Sequence, residues 1–367
     1  MSTPVRTKFD KSKAPTTKTP VEPNPKDRRA SKARSGGSGA VSKYGLAVFL
    51  VALFLIFSVL RPSSFPTFYN IVGILNLQSY IVIAGLGVLL TLTLGEIDLS
   101  IAANMSVANS LVVGLGVLQH LPLWASVVIA VVSSSIIGLA NGIIVTRFKV
   151  PAFVATLGMA TLLEGLMQLY MGGNDIVTPP PGLTAIAQTA PFGVPLAIVY
   201  AIIVAVIVHF VLNHMTLGRK MLAVGGNPKA AGLTGIPVDT YRVVAFTVGG
   251  ALAGVAGVIL GSQIGSAQVA GNPALLLPIF AATFLGSTVI FPGRFNVPGT
   301  VVAVLFLAVT VSGLVQLGVQ PWIQPVFNGA TLIAAVAVSA WGARSRAARA
   351  RREQIAATAT QAKAEGQ

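Results

Sequence analysis

Apolar runs of bilayer length recur along nearly the whole chain, and no other feature limits its possible folds so severely. Reading each run to its bounding Pro, Gly or charged residue gives approximate spans at 44 to 60, 79 to 95, 101 to 118, 123 to 146, 152 to 171, 195 to 214, 239 to 262, 275 to 291, 297 to 318 and 323 to 342. A helix needs about 20 mainly apolar residues to cross the hydrocarbon core. In lipid every backbone N–H and C=O must find a partner inside the protein, so such runs form helices. The expectation is an all-α, polytopic integral membrane protein of about ten transmembrane helices. Composition agrees, since only 10% of the residues are charged, whereas a soluble domain carries about a quarter. Residues 68 to 78, FYNIVGILNLQ, read either as part of this array or as an interfacial helix.

Charge sets the expected topology and the domain plan. Residues 1–43 lack an apolar run, are rich in Lys, Arg, Pro, Ser and Thr, and include SKARSGGSGA. They read as a disordered basic cytoplasmic tail, followed by a membrane domain at 44–342 and a basic C-terminal tail at 343–367. Threading ten spans from a cytoplasmic N-terminus puts Arg147, Lys149, the loop from Arg219 to Arg242, Arg294 and the C-terminal tail inside, and leaves Arg61 outside. That distribution follows the positive-inside rule, with both termini cytoplasmic. The net charge of +15 sits in tails and short loops, which argues against nucleic acid as a partner. The chain has no cysteine, its three histidines are scattered, and it contains no G-x-x-x-x-G-K-[ST] phosphate loop. No metal centre, cofactor or ATPase activity is therefore expected of it. The largest outer loop, 172 to 194, is too small to be a solute-capture domain.

Acids inside this array need an explanation. The stretch TLTLGEIDLSIAANMS carries Glu96 and Asp98, and an ionised group at the centre of a membrane helix costs about 2.5 to 3.5 kcal/mol. Gly95 and Ser100 suggest a break in the helix near residues 95–100. There Asp98 or Ser100 would cap the next helix, where negative charge is favoured, while Glu96 and Asn104 either line a solute pathway or only support the break. Glu164, in ATLLEGLMQLY, is a second intramembrane acid with the same choice between pathway and interhelical hydrogen bonding. Gln263, Ser266, Gln268 and Asn272 lie at the outer end of the seventh span, as possible hydrogen-bonding partners for a ligand or as a solvated loop. Gly250, Gly254, Gly257, Gly261 and Gly265 recur along that span, at spacings that suit close helix contact within one subunit or across a dimer.

The segment from Thr216 to Arg242, TLGRKMLAVGGNPKAAGLTGIPVDTYR, holds a short helix between breakers. Asn227 can cap its start, and Pro228 fits the first turn. On physics alone it is either a docking knob for another protein or an ordinary basic loop. Three stretches together decide more. GEIDLSIAANMS, AVGGNPKAAGLTGIPV and SQIGSAQVAGNPALLLPIFAATFLG occur in this order, and the chain from about Tyr44 to Trp341 resembles the permease subunit of sugar-type ABC importers, the family of ribose, xylose and related monosaccharide permeases. The resemblance implies a translocation pathway built from two permease chains in the lipid bilayer, a separate ABC-type ATPase below and an extracytoplasmic substrate-binding protein above. It assigns the loop at 216–238 as the coupling element, with matching residues Gly225, Asn227, Pro228, Ala230, Ala231, Gly235 and Ile236. The chain departs from the family at Glu96, where a Gly is usual, at Glu164, where a basic residue is frequent, and at GSTVIFPGRFNVPG after the eighth span. A proton- or ion-coupled secondary transporter using Glu96, Asp98 or Glu164 is the alternative, though it leaves the coupling-like loop unexplained.

Overall fold

The computed structural model describes residues 25–341, with side chains from Lys43 onward. Residues 1–24 and the C-terminal tail fall outside the described residues. Contacts divide the chain into a unit ending at Val41 and a membrane unit from Ser42. The first helix, α1 (Pro25–Leu60), starts inside the segment expected to be disordered. The Lys, Arg and Ala residues of KDRRASKAR are good helix formers, and adding residues to an existing apolar helix is far easier than nucleating one.

Every element of the membrane unit is a helix among the described residues, apart from one isolated bridge between Ile176 and Ala267. After α1 come α2 (Phe68–Thr93), α3 (Ile101–Val117), α4 (Leu123–Arg147), α5 (Ala152–Tyr170), the short α6 (Leu183–Gln188), α7 (Leu196–His214), α8 (Thr216–Gly226), α9 (Pro228–Leu233), α10 (Val238–Ile264), α11 (Leu276–Gly286), α12 (Val297–Gln316) and α13 (Ile323–Trp341). Eight helices are long and apolar enough to cross a membrane, counting α1 from Lys43, and α3 and α11 are shorter apolar helices. Residues 68 to 78 are not a separate interfacial helix. Thr67 accepts a hydrogen bond from the Asn70 N–H at 3.3 Å and starts one 26-residue helix.

The run at 275 to 291 also differs from expectation, because α11 stops at Gly286. Eleven residues rise about 16 Å, roughly half the hydrocarbon thickness. Asn296 explains the stop. Its amide N–H₂ lies 3.0 to 3.2 Å from the carbonyls of Gly286, Val289 and Arg294, while its Oδ1 accepts from the Gly299 N–H at 2.8 Å. One side chain thus satisfies the end of α11 and caps the start of α12.

Helix α10 is the hub and packs against α4, α2 and α3. A Cβ on Gly250 or Gly254 would strike α4 at Ser134, one on Gly257 the Met105 carbonyl of α3, and one on Gly261 the Asn109 side chain. The glycine row is therefore filled by helices of the same chain, except Gly265, which ends α10 at φ 69°. In α10 and α12 61% of the apolar window is buried, against 6% in α1 and 11% in α13, so the last two present their flanks to the surroundings.

Candidate functional site: the α2–α3 break and the α8–α9 segment

The chain leaves α2 at Leu94, turns through Gly95 at φ 81° and re-enters helix at Ile101. Irregular backbone near membrane depth must be satisfied by the protein around it, and neighbouring side chains do part of this here. The Leu99 N–H donates to Thr156 Oγ1 at 3.0 Å, and the Thr156 hydroxyl donates in turn to the Ala152 carbonyl at 2.8 Å. Asp98 is buried, and its Oδ1 accepts from both the Ser100 N–H at 2.9 Å and the Ser100 hydroxyl at 2.6 Å. Ser100 makes no side-chain capping bond, and Asp98 meets Ser100 ahead of the helix and no N–H of α3, so neither expected cap forms on α3 itself; Asp98 closes the turn before it. Asn141 of α4 donates to Ser100 Oγ at 2.8 Å, and Asn104 donates to the Ser134 carbonyl at 3.0 Å. Asn104 is thus a buried tie between α3 and α4.

Glu96 has a partner the sequence did not reveal. Arg242, in the first turns of α10, places Nε 2.8 Å from Glu96 Oε1, a close ionic contact in which the N–H is not aligned as a hydrogen bond. Arg242 also approaches Asp239 at 3.5 Å, and Asp239 pairs with Lys149 at 2.9 Å. Four charges therefore link the break, the α4–α5 connection and the start of α10. Glu164 stands apart, about two turns beyond Thr156 along α5. It is part-exposed and joins none of the three ion pairs among the described residues.

The α8–α9 segment is rigid by construction. Asn227 caps α9 by accepting the Ala230 N–H at 3.0 Å, and Pro228 occupies its first turn. At the other end Ile236 N–H reaches the Ala231 carbonyl at 3.1 Å and Gly235 N–H the Gly232 carbonyl at 3.0 Å, with Gly235 at φ 82°. These two bonds form a Schellman stop, which requires the left-handed residue that glycine supplies. Ala231 is buried against the membrane unit, and Gly225 lies so close to the Thr93 carbonyl that a Cβ has no room. Of the matching residues only Asn227, Pro228, Ala230 and Gly235 are exposed. Lys229 and Leu233 share the exposed surface, with Leu233 91% exposed. Leu233 was legible as the one large apolar residue between Ala231 and Gly235.

At the far end of the helices, Gln263 is a structural tie, donating to the Asn76 carbonyl at 2.7 Å and to Ser79 Oγ at 3.0 Å. The Asn272 backbone N–H donates to Ser106 Oγ at 2.9 Å; Ser266 is part-buried and Gln268 exposed. Ser262, which sequence reasoning passed over, is fully buried. It holds α6 by donating to the Leu183 carbonyl at 2.7 Å and accepting the Ala187 N–H at 2.8 Å.

A multi-helix membrane unit with a broken helix, and a capped two-helix element seated on that break, define a polytopic membrane protein. The chain belongs to the family described as branched-chain amino acid transport system / permease component, which matches residues 70–336. It is 32% identical over 303 residues to the ribose import permease of Bacillus subtilis (strain 168), covering 81% of this chain and 92% of the relative. It is 29% identical to the D-allose transport system permease and 28% identical to the L-arabinose transport system permease of Escherichia coli (strain K12), each over 296 residues. These alignments cover 81% and 80% of this chain and 91% and 89% of the relatives. No solved structure matches the chain.

Proposed function

We propose that this chain forms the translocation pathway for a monosaccharide or related small polar solute in an ATP-driven importer of the bacterial inner membrane. A separate ABC-type ATPase seats on the α8–α9 segment, an extracytoplasmic binding protein delivers solute at the opposite end, and a second permease chain completes the pathway. Both termini and α8–α9 are cytoplasmic in this reading, which the Lys and Arg distribution supports. The solute class rests on the relatives, whose names specify ribose, allose and arabinose. The domain plan, a membrane domain at 44–342 with coupling residues at 216–238, belongs to the same proposal.

One observation carries the reading: α9 has a packed back and an open front. Ala231 and Gly225 anchor it to the membrane unit, while Lys229, Ala230 and Leu233 face outward. A capped helix that holds an apolar side chain outward suits the helix-in-groove mode of recognition. The intramembrane acids favour a proton-coupled reading less than they did in sequence, because Glu96 is ion-paired and Asp98 is engaged by Ser100.

The test uses Ala230→Trp and Leu233→Asp, with Ala185→Trp at an exposed position of α6 as control. Ala231 is unsuitable, since a bulky residue there would disturb its own chain. Both test variants should insert normally, lose the co-purifying ATPase and lose uptake. Full uptake in both would remove α8–α9 as the coupling element. A cysteine at position 229 should react with an impermeant thiol reagent only from the cytoplasmic side.

A further inference from the structure

A cavity of about 330 Å³ lies between α2, α11, α12 and α13, in the half of the membrane unit away from α8–α9. Its walls are mainly aliphatic, but Gln78, Tyr80, Ser312, Gln324 and Asn328 also line it, and none of its lining residues is charged. The neighbouring polar side chains are tied to one another: Gln263 to Asn76 and Ser79, and Gln316 to Asn70. By contrast, the side chains of Gln78, Tyr80, Gln324 and Asn328 make no hydrogen bond to a described residue. Asn328 is only 4% exposed as a residue, yet its amide atoms are not among the sealed-off polar atoms of the unit and open onto the cavity. These four side chains therefore present free donors and acceptors to whatever occupies the cavity.

We propose that this cavity binds a small, uncharged, polyhydroxylated ligand of the monosaccharide class. Three carboxamides and two hydroxyls supply donors and acceptors in the mixed pattern that sugar hydroxyls require. The volume is at the lower end of small-molecule pockets, and the aliphatic walls suit the C–H faces of a sugar ring. A zwitterionic amino acid fits poorly, because its ammonium and carboxylate would be desolvated without a counter-charge. The site separates these two solute classes by chemistry, which the family description leaves open. This inference deepens the importer reading and rests on it for the solute's route.

The chain's lack of cysteine allows a direct test. Asn328→Cys and Gln78→Cys would each be placed in the full importer in membranes, and the rate of reaction with a small polar methanethiosulfonate measured with and without D-ribose, D-allose or L-arabinose. At least one sugar should slow the reaction at both positions by about threefold or more, while glycine and leucine leave it unchanged. Ile333→Cys, 73% exposed on α13, is the lipid-facing control and should react only with a membrane-soluble maleimide. If the cavity cysteines behave as position 333 does, the space holds lipid and the proposal fails. Absence of protection in a complex that still takes up the sugar overturns the cavity and leaves the importer reading standing. Protection without uptake supports the cavity and overturns the importer reading.

Discussion

Helices α10 and α5 both carry glycines within a membrane span, and the two use them in opposite ways. Gly250, Gly254, Gly257 and Gly261 of α10 each face an atom of α3 or α4 where a side chain would begin, whereas Gly158 and Gly165 of α5 have no heavy atom within 4 Å of that point. Only 22% of the α5 window is buried, against 61% in α10. Around Gly165 the open part of α5 bears Thr161, Glu164 and Gln168. A glycine in a sequence therefore announces close backbone approach without saying whose. In α10 the partner is the same chain, which makes the row a matter of folding. In α5 polar and small residues stand on a flank that this chain does not cover, and the importer reading gives that flank to the second permease chain or to the solute path.

The sharpest test of this contrast is Gly257→Leu. The obstructing atom is a backbone carbonyl, which cannot swing aside, so the cost should reach about 3 kcal/mol or more and little folded protein should survive detergent extraction. Gly165→Leu at the matching place in α5 should fold like the parent. Equal loss of folded protein in both variants would break the comparison.

A smaller effect is expected at the charge network that holds α10 to the break. Glu96→Ala leaves Arg242 with only its 3.5 Å contact to Asp239. Loss of a charged contact with one-quarter or less exposure on either side should cost about 2 kcal/mol, read as a lower melting temperature of the purified protein. Arg242→Ala should cost a similar amount, and the double variant less than the sum of the two. Strict additivity would show that the pair contributes nothing.

Asp98 should give a milder change that depends on chemistry more than charge. Asp98→Asn keeps an acceptor for the Ser100 N–H and should remain near the parent, whereas Asp98→Leu should lose about 0.5 to 2 kcal/mol. Equal and complete loss of transport in both, at normal expression, would instead require the charge. The smallest effect on folding belongs to Glu164→Gln, which should leave the melting temperature unchanged within error while altering uptake. A large drop in stability there would mean that α5 is an internal helix after all.

Much of the fold was legible because a bilayer imposes one length on every crossing element. The spans at 123 to 146, 152 to 171 and 195 to 214 match α4, α5 and α7 to within a residue or two for that reason. The start of α9 was equally legible, since Asn227 and Pro228 act on N–H groups only a few residues away. What escaped was long-range. Glu96 and Arg242 have no local pattern that joins them, and Asn141 lies 41 positions from the Ser100 it serves. The half-length of α11 was hidden in the same way, because its end is set by an asparagine ten positions on. Ala231 reads as a contact residue in sequence and proves to be turned inward, since a six-residue helix gives no periodicity from which to choose a face.

The contact of Gly225 with the Thr93 carbonyl behaves like a bearing without clearance. Side chains at such a joint would bend through their rotamers and absorb part of any displacement, but two backbones in direct contact have no such play. In the importer reading, a push on α9 would pass through α8 to the last turn of α2 with little lost at this joint. Even an alanine at 225 would act as a shim, moving the rest position of the joint before anything had pushed on it.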